Sequence, residues 1–561
     1  MKFLPLLATI ITIIWLLSKN YSRSKKNKRL EELRRKWGFL NNDYYNFDKI
    51  EKYAKLNTKE SFHTLTDQTK SDIDFNELFT FIDRTTSKPG QQYLFDKLSK
   101  PTSNVAALQQ MDQQIIFFTA NQEEREEAQM LLAELNDDNA YHIASLLSNE
   151  LPEKPAWFNL VIGDIIVTIV LIALSFRYPV LLAWLMVPLA VNLALHYWNK
   201  NNTFYFATSL PQLNRLVNIC KTLKNKNLPF DNDAAGKSID ALKKFQRIMR
   251  LLGLRQSNLG GDAELIVYYV IDLVKAFFLI ELVAYLSLIK DLKNKQSDIH
   301  NLFRYAGAID AAISIASLRA AGTKTCLPVF ISASKKLQAE KIYHPLIEDC
   351  VPNDIDITGR SILITGSNMS GKTTFLRTIA INAVFAQTIY TCFAESYQMP
   401  VVKLFSSIRI DDSLPEGKSY YFEEVNIMGT LVNEVKSGHQ DLFILDEVFK
   451  GTNTVERIAS GKAILSYLNK SDNLVFVSTH DIELSDMLKS EYDLYHFEEN
   501  ITNDQLQFDH KLKAGQLKTR NAIKILEISA YPAEIIDEAN AISKKLRAID
   551  TAGMPGNISK V

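Results

Sequence analysis

No two of the four cysteines, Cys220, Cys326, Cys350 and Cys392, have CxxC spacing. A zinc site built on such pairs is excluded, and so few scattered thiols fit a reducing compartment. Charge of one sign is not in excess either, since 64 Lys and Arg balance 64 Asp and Glu. That balance gives no support to bulk electrostatic capture of nucleic acid, while leaving a local basic patch open. Internal repeats and low-complexity tracts are lacking. A hydrophobic fraction of 47% excludes a disordered chain. The 561 residues are too many for one ordinary domain and suggest roughly three or four.

Long apolar runs are what the chain does have. Phe3 to Leu17 is almost wholly apolar and is followed by Lys19, Arg23, Lys25, Lys26, Lys28, Arg29, Arg34, Arg35 and Lys36. A cleaved signal peptide carries its positive charge ahead of the apolar run. The reverse order predicts a transmembrane anchor over 1–19 with its C-terminal side in the cytoplasm; a buried N-terminal helix is the competing reading. Trp157–Phe176 and Pro179–Trp198 are each about long enough to cross a bilayer, and only Arg177 and Tyr178 separate them. With Trp157, Tyr178, Tyr197 and Trp198 near the ends, they predict a transmembrane hairpin within 151–200. Asp164 lies inside the first arm near one end, which favours an interfacial or helix-pairing role over a functional one. Leu265–Ile289 carries Asp272, Lys275 and Glu281 at intervals and reads as a long amphipathic helix rather than a span.

Around the hairpin the texture is helical. Residues 20–72 read as helices and linker, 73–150 as the first part of a helical region, and 201–325 as its long helices. From Thr325 short apolar runs alternate with helical patterns: Ser361–Thr365, Leu442–Leu445 and Leu474–Ser478. This predicts an α/β domain over 326–545 with a mostly parallel sheet. Residues 546–561, with Gly553, Pro555 and Gly556, read as a disordered tail.

The chemistry lies in the α/β domain. Gly366-Ser-Asn368-Met369-Ser370-Gly371-Lys372-Thr373 fits G-x-x-x-x-G-K-[ST], after an apolar strand and before a helical run, Phe375–Phe385. Such a loop curls backbone N–H groups around phosphates at a helix N-terminus. Lys372 would reach the β- and γ-phosphates of ATP, and Thr373 would hold Mg²⁺. Leu442–Leu445 ends in Asp446-Glu447, where Asp446 would bind Mg²⁺ and Glu447 would polarise the attacking water as general base. Leu474–Ser478 ends in Thr479-His480, and His480 would sense the γ-phosphate or position that water. An anchor plus a hairpin leaves this site in the cytoplasm, where ATP is.

These residues in this order resemble the ABC-type ATPases, and further details resemble the MutS family of DNA mismatch-repair proteins. Asn368-Met369 with Thr374 to Arg377 is similar to the family's phosphate loop. His344-Pro345 and Val351-Pro352-Asn353-Asp354 are similar to elements ahead of it. Asp411-Asp412-Ser413-Leu414, Gly417-Lys418-Ser419 and Glu424 resemble the stretch that replaces a transporter signature. Gly451-Thr452-Asn453-Thr454 and Glu483-Leu484 resemble the continuations of the acidic and histidine motifs. These motifs cover about Tyr343 to Glu538. Upstream, Ile82-Asp83-Arg84-Thr85-Thr86 with Gly90 and Pro101 looks like the opening of the family's helical core, so the fold expected is a P-loop ABC-type α/β domain plus a mostly α-helical core interrupted by a membrane hairpin.

The resemblance implies a homodimer with composite sites. One subunit would supply Gly366, Asn368, Met369, Ser370, Gly371, Lys372, Thr373, Thr374, Asp446, Glu447 and His480, and its partner Ser419 in trans, with ATP and Mg²⁺ as cofactors. Departures from the family's pattern bear on the substrate. No Phe-x-Glu mismatch-reading motif is found near the N-terminus, the core-like pattern begins near Ile73, and Cys350 and Val351 stand where an aromatic ring can stack on adenine. Two readings stay open. One is a membrane-anchored MutS-like ATPase binding double-stranded, mismatched DNA. The other is a mechanical ATPase of the inner (cytoplasmic) membrane acting on a protein or lipid partner. A transporter is a distant third, since no LSGGQ-type signature appears.

Overall fold

The computed structural model describes residues 24, 26–41, 44–58, 61–148, 158–251, 274, 277–279, 283, 288, 291–332, 335–367, 369–409, 420–435, 439–502, 505–517, 522–528 and 531–552. The anchor over 1–19, Asn368, Ser419 with the rest of 410–419, and most of Leu265–Ile289 lie outside the described residues. Two compact units emerge, each assembled from separate stretches of chain. One takes Met1–Ser61, Asn76–Lys100 and Asn104–Thr323; the other takes Phe62–Phe75, Pro101–Ser103 and Lys324–Val561.

The first unit is helical. Its central helix, Gln296–Arg319, buries Ile299, Leu302, Phe303, Ile309, Ile313 and Ile315. Asp310 on that helix is fully buried and accepts hydrogen bonds from Thr86 N (2.9 Å), Ser87 N (2.8 Å) and Ser87 Oγ (2.6 Å). Ser87 in turn caps the helix Lys88–Ser99 by accepting from Gly90 N at 3.0 Å. Asp83 accepts from Thr85 N, Thr85 Oγ1 and Gln91 Nε2 at 2.9, 2.6 and 2.7 Å. The Asp83–Thr86 motif with Gly90 is therefore a polar knot in which two buried carboxylates, Asp83 and Asp310, are satisfied by neighbouring donors. The basic stretch is partly engaged too: Arg34 makes a two-pronged pair with Glu126 at 2.8 Å, and Arg125 lies 3.6 Å over the Trp37 ring.

Phe158–Ser175 is the one helix among the described residues long and apolar enough to cross a membrane, with a mean hydropathy of 2.3 and only 17% of it buried. Ile166, Val167 and Ile169 on it are more than half exposed. The second arm of the expected hairpin is less distinct. Its apolar part, Leu181–Ala194, is shorter, and it opens a helix that continues from Met186 to Lys224. The helix runs on past Trp198 with Pro211 inside it. Asn192 on this helix donates to the carbonyl of Phe277 at 2.7 Å, so one described residue of Leu265–Ile289 packs beside it.

The second unit is α/β. Its main sheet has the order β10-β9-β4-β8-β7-β6. The strands are β4 Ser361–Thr365, β6 Lys403–Ser407, β7 Asp441–Asp446, β8 Leu474–Ser478, β9 Tyr492–Thr502 and β10 Gln505–Ala514. All neighbours pair in parallel except β9 with β10. Both faces of β4 and β8 are buried, which is why they read as unbroken apolar runs. Helix α1, Lys372–Thr388, follows β4, while α2 (Tyr420–Glu434), α3 (Thr454–Leu468) and α4 (Ile482–Leu488) belong with the later strands. Met428, Leu431, Leu465, Leu468, Leu484 and Leu488 from α2, α3 and α4 share a core with Phe443 and Val475.

A second sheet has the order β1-β5-β2-β3, with β1 Val329–Phe330, β2 Lys336–Ile342, β3 Asn353–Thr358 and β5 Ser396–Met399. Beside it Cys326 and Cys392, far apart in sequence, exchange backbone hydrogen bonds of 2.9 Å across an isolated bridge. The unit also takes in Phe62–Phe75, which the sequence reading divided between linker and helical region. The expected tail differs as well: helix Ala533–Ala552 runs on past 546, since no breaker precedes Gly553, and 553–561 lie outside the described residues.

Candidate functional site

The phosphate loop joins β4 to α1. Gly366 has φ 148° and Gly371 φ 112°, and a Cβ on Gly366 would lie 2.8 Å from the Phe497 carbonyl oxygen. Only glycine fits there. Ser370 is buried and donates through Oγ to the Ser367 carbonyl at 2.8 Å, closing the loop, while Met369 at its tip is 73% exposed. Lys372 is 2% exposed, and its Nζ donates to the carbonyls of Gly366 (2.7 Å) and Ser367 (2.8 Å). Burial pushes its ammonium down to about 8, against the opposing pull of Glu447 and Asp446. A phosphate anion bound there would add to that pull and favour the charged ammonium further. Thr374, next in the chain after Thr373, accepts through its carbonyl from Thr378 Oγ1 at 2.7 Å.

Thr373 and Asp446 come together across 73 residues of chain: Thr373 Oγ1 donates to Asp446 Oδ2 at 2.6 Å. Asp446 Oδ1 accepts from Ser478 Oγ at the end of β8. This set offers only hard oxygen donors beside the phosphate loop and fits Mg²⁺, which takes few protein ligands and completes its shell with phosphate and water.

Glu447 has φ 57° and Phe449 φ 63°, so the chain leaves β7 through a left-handed kink that re-aims Glu447. The kink is held from below. Glu424 on α2 is buried and accepts from Phe449 N, and from Lys450 N at 3.2 Å. Glu447 N also donates to the Ser478 carbonyl at 3.0 Å. The Glu447 side chain meets His480 Nε2 at 2.5 Å and Lys450 Nζ at 3.3 Å. Burial pushes the Glu447 carboxyl up, but the hydrogen bond and charge of His480, with Lys450, outweigh it and hold it down to about 2. A carboxylate so low is a poor proton acceptor. With His480 and Lys450 on it, Glu447 is suited to orient and polarise a water molecule rather than to keep its proton.

Neighbouring motifs turn out to be scaffolding. Asn453 caps α3 by accepting from Glu456 N at 3.0 Å, a contribution of about 1 kcal/mol. Gly451 packs against Tyr421, whose Cβ would lie 2.9 Å from an added Cβ. Thr479 N donates to the Ile364 carbonyl at 3.0 Å, and Asp481 next to His480 makes a two-pronged pair with Arg457 at 2.8 and 2.9 Å. Sequence reasoning missed His510. Its Nδ1 lies 3.0 Å from the Ser370 carbonyl, its own φ is 50°, and Asn353 holds its carbonyl at 3.0 Å. Only the apolar and aromatic alternation of β9 and β10 hinted at such a hairpin. Lys372, Thr373, Asp446, Glu447 and His480 are thus one cluster, whereas Asn368 and Ser419 lie outside the described residues.

Residues 362–547 match the family model "MutS domain V". The DNA mismatch repair protein MutS of Petrotoga mobilis is 33% identical over 232 residues, which cover 39% of this chain and 28% of that protein. MutS of Aquifex pyrophilus is 31% identical over 221 residues, 38% of this chain and 26% of the relative. MutS of Natronomonas pharaonis is 29% identical over 218 residues, covering 37% and 25%. The chain thus spans about a quarter of the length of the curated relatives it matches. The likeness is confined to the α/β region that carries the phosphate loop, where this chain is similar to domain V of MutS proteins.

Proposed function

We propose that this chain is a membrane-anchored ATPase of the MutS type that binds and hydrolyses Mg²⁺–ATP as a homodimer. The observation that carries the reading is the assembly of Lys372, Thr373, Asp446, Glu447 and His480 at the ends of β4, β7 and β8. Gly366, Ser370, Gly371 and Lys372 bind the phosphates, with Asn368, Met369 and Thr374 completing the loop. Thr373 and Asp446 hold the cation, which when bound neutralises charge developing on the phosphates. Glu447 and His480 orient the attacking water, and the partner's copy of the 410–419 loop brings Ser419 to the γ-phosphate.

For the substrate, similarity to proteins named for DNA mismatch repair supports double-stranded, mismatched DNA. A second reading rests on the exposed apolar helix Phe158–Ser175 and the zero net charge. It places the ATPase at the inner membrane, with the nucleotide site in the cytoplasm and a protein or lipid partner instead of DNA. The test is ATP hydrolysis by the detergent-purified full chain with homoduplex, mismatched or no DNA, beside Lys372→Ala. Lys372-dependent hydrolysis stimulated by DNA and lost at high salt supports the first reading. Lys372-dependent hydrolysis indifferent to every DNA supports the second. Hydrolysis that survives Lys372→Ala refutes both.

A further inference from the structure

Beside the cation end of α1 lies a segment drawn from far upstream. Asp74, near the end of the strap Phe62–Phe75, accepts from Arg377 at 2.7 Å and from Arg409 at 2.5 Å. Arg377 stands one helical turn after Thr373, on the same face of α1. Its Nε is buried with no hydrogen-bond partner among the described residues, so Asp74 is the carboxylate on which this half-buried guanidinium depends. Arg409 follows the end of β6 and immediately precedes 410–419 in the chain.

The strap is locked onto β6 by further bonds. The Asp72 carboxylate accepts from Ser406 Oγ (2.6 Å), Arg409 N (2.7 Å), Gln68 Nε2 (3.0 Å) and Ile408 N (3.1 Å). His63 Nε2 lies 2.8 Å from the Leu404 carbonyl. His344, from the His-Pro element, lies close by; burial first, and then the Arg377 charge, push its imidazole down to about 4, so it is neutral and adds no third cation. Without Asp74, Arg377 loses the largest of its favourable charges and keeps the repulsion of Arg409, against which only Asp72 and Asp446 remain, so the two guanidiniums would move apart.

We propose that Asp74 is a positioning residue for ATP hydrolysis: it clamps α1, which carries Lys372 and Thr373, to the end of β6. The proposal rests on the ATPase reading above. Breaking the clamp moves the cation end of α1 relative to β6 while leaving the phosphate loop itself intact, so turnover suffers and nucleotide binding does not.

The test uses the full chain and compares kcat and KM for Mg²⁺–ATP in wild type, Lys372→Ala, Asp74→Asn, Asp74→Glu, Arg409→Gln and the Asp74→Asn/Arg409→Gln double variant. Asp74→Asn should lower kcat about tenfold with KM changed less than about twofold. Asp74→Glu should recover at least half of the loss, and the double variant should be no slower than the slower single, because both break the same clamp. Wild-type kcat in Asp74→Asn, no recovery in Asp74→Glu, or losses that multiply in the double variant would overturn the proposal and leave the ATPase reading standing. If Asp74→Asn does not fold, Arg409→Gln decides alone, since that side chain is 46% exposed and its loss leaves the core untouched; unchanged kcat there overturns the proposal. Absence of Lys372-dependent hydrolysis in the wild type would overturn the ATPase reading, and the clamp's role with it.

Discussion

Replacing Gly90 by alanine should destabilise the helical unit far more than a methyl group normally does. The added Cβ would lie 2.1 Å from Asp310 Oδ2 and 2.6 Å from its Cγ. A carboxylate at the end of a free side chain would swing aside. This one cannot do so cheaply, because Thr86 N, Ser87 N and Ser87 Oγ all donate to it and it is fully buried. Displacement forfeits the two charge-assisted hydrogen bonds that Ser87 makes to Oδ2, at about 1.5–3 kcal/mol each. Against that, alanine is the better helix former by about 1 kcal/mol. The net loss is about 2–5 kcal/mol, which lowers the thermal midpoint of the unit by roughly 5–15 °C.

Thermal unfolding followed by circular dichroism on the purified full chain measures it, with Gly236→Ala as the control. There the added Cβ would meet Lys224 Nζ at 2.4 Å, the far end of a flexible chain that can move. The control should melt at or up to about 4 °C above wild type, since only the helix-forming gain of about 1 kcal/mol remains there. If Gly90→Ala melts with the control, Asp310 is not fixed by its three donors and the account of the knot is wrong.

Three further outcomes follow from the nucleotide site. Glu447→Gln should lower kcat by about 10²-fold through loss of water positioning while the dissociation constant for ATP, read by equilibrium titration, stays close to wild type. His480→Ala removes the main pull holding the Glu447 carboxyl at about 2, leaving burial, which pushes it up, opposed by Lys450. The acid limb of its kcat–pH profile should therefore move to higher pH, and a profile superimposable on wild type would show that the pair does not act together. The stability sign agrees: a carboxylate held below its usual range contributes stability above about pH 4.5 that is lost as pH falls toward 2. Gly451→Ala would push its Cβ to 3.2 Å from the backbone N and Cα of Tyr421. It should shift α2 and lower kcat, with little change in the affinity for ATP.

Much of the nucleotide site was legible because its signals are local. The glycines of the phosphate loop, the apolar runs of β4, β7 and β8, and the acids and histidine at their ends can each be read within a few residues. β4 and β8 fall on Ser361–Thr365 and Leu474–Ser478, the runs marked in the sequence. What escaped depends on partners distant in the chain. His510 reaches the phosphate loop across 140 residues, and Asp72 meets Ser406 across 334. The left-handed φ of Glu447 has no sequence signature, because its cause is Glu424 on another helix. Asp83 and Asp310 look like ordinary surface acids until the fold surrounds them with donors. The second arm of the hairpin is less distinct than its sequence suggested, because its apolar part, Leu181–Ala194, passes into a helix that continues to Lys224.

The strap Phe62–Phe75 has a consequence for how the chain is made. A ribosome adding roughly 5–20 residues per second finishes Asp72 about 17–67 s before it adds Ser406, 334 residues later. For that interval the strap has its capping acids and no sheet to grip. The α/β unit cannot close until nearly all of the helical unit has emerged, so its folding is timed by the slower appearance of everything encoded between. A clone begun at residue 324 would shorten that wait to nothing and would leave Ser406, Ile408 and Arg409 without the carboxylate that ends their strand.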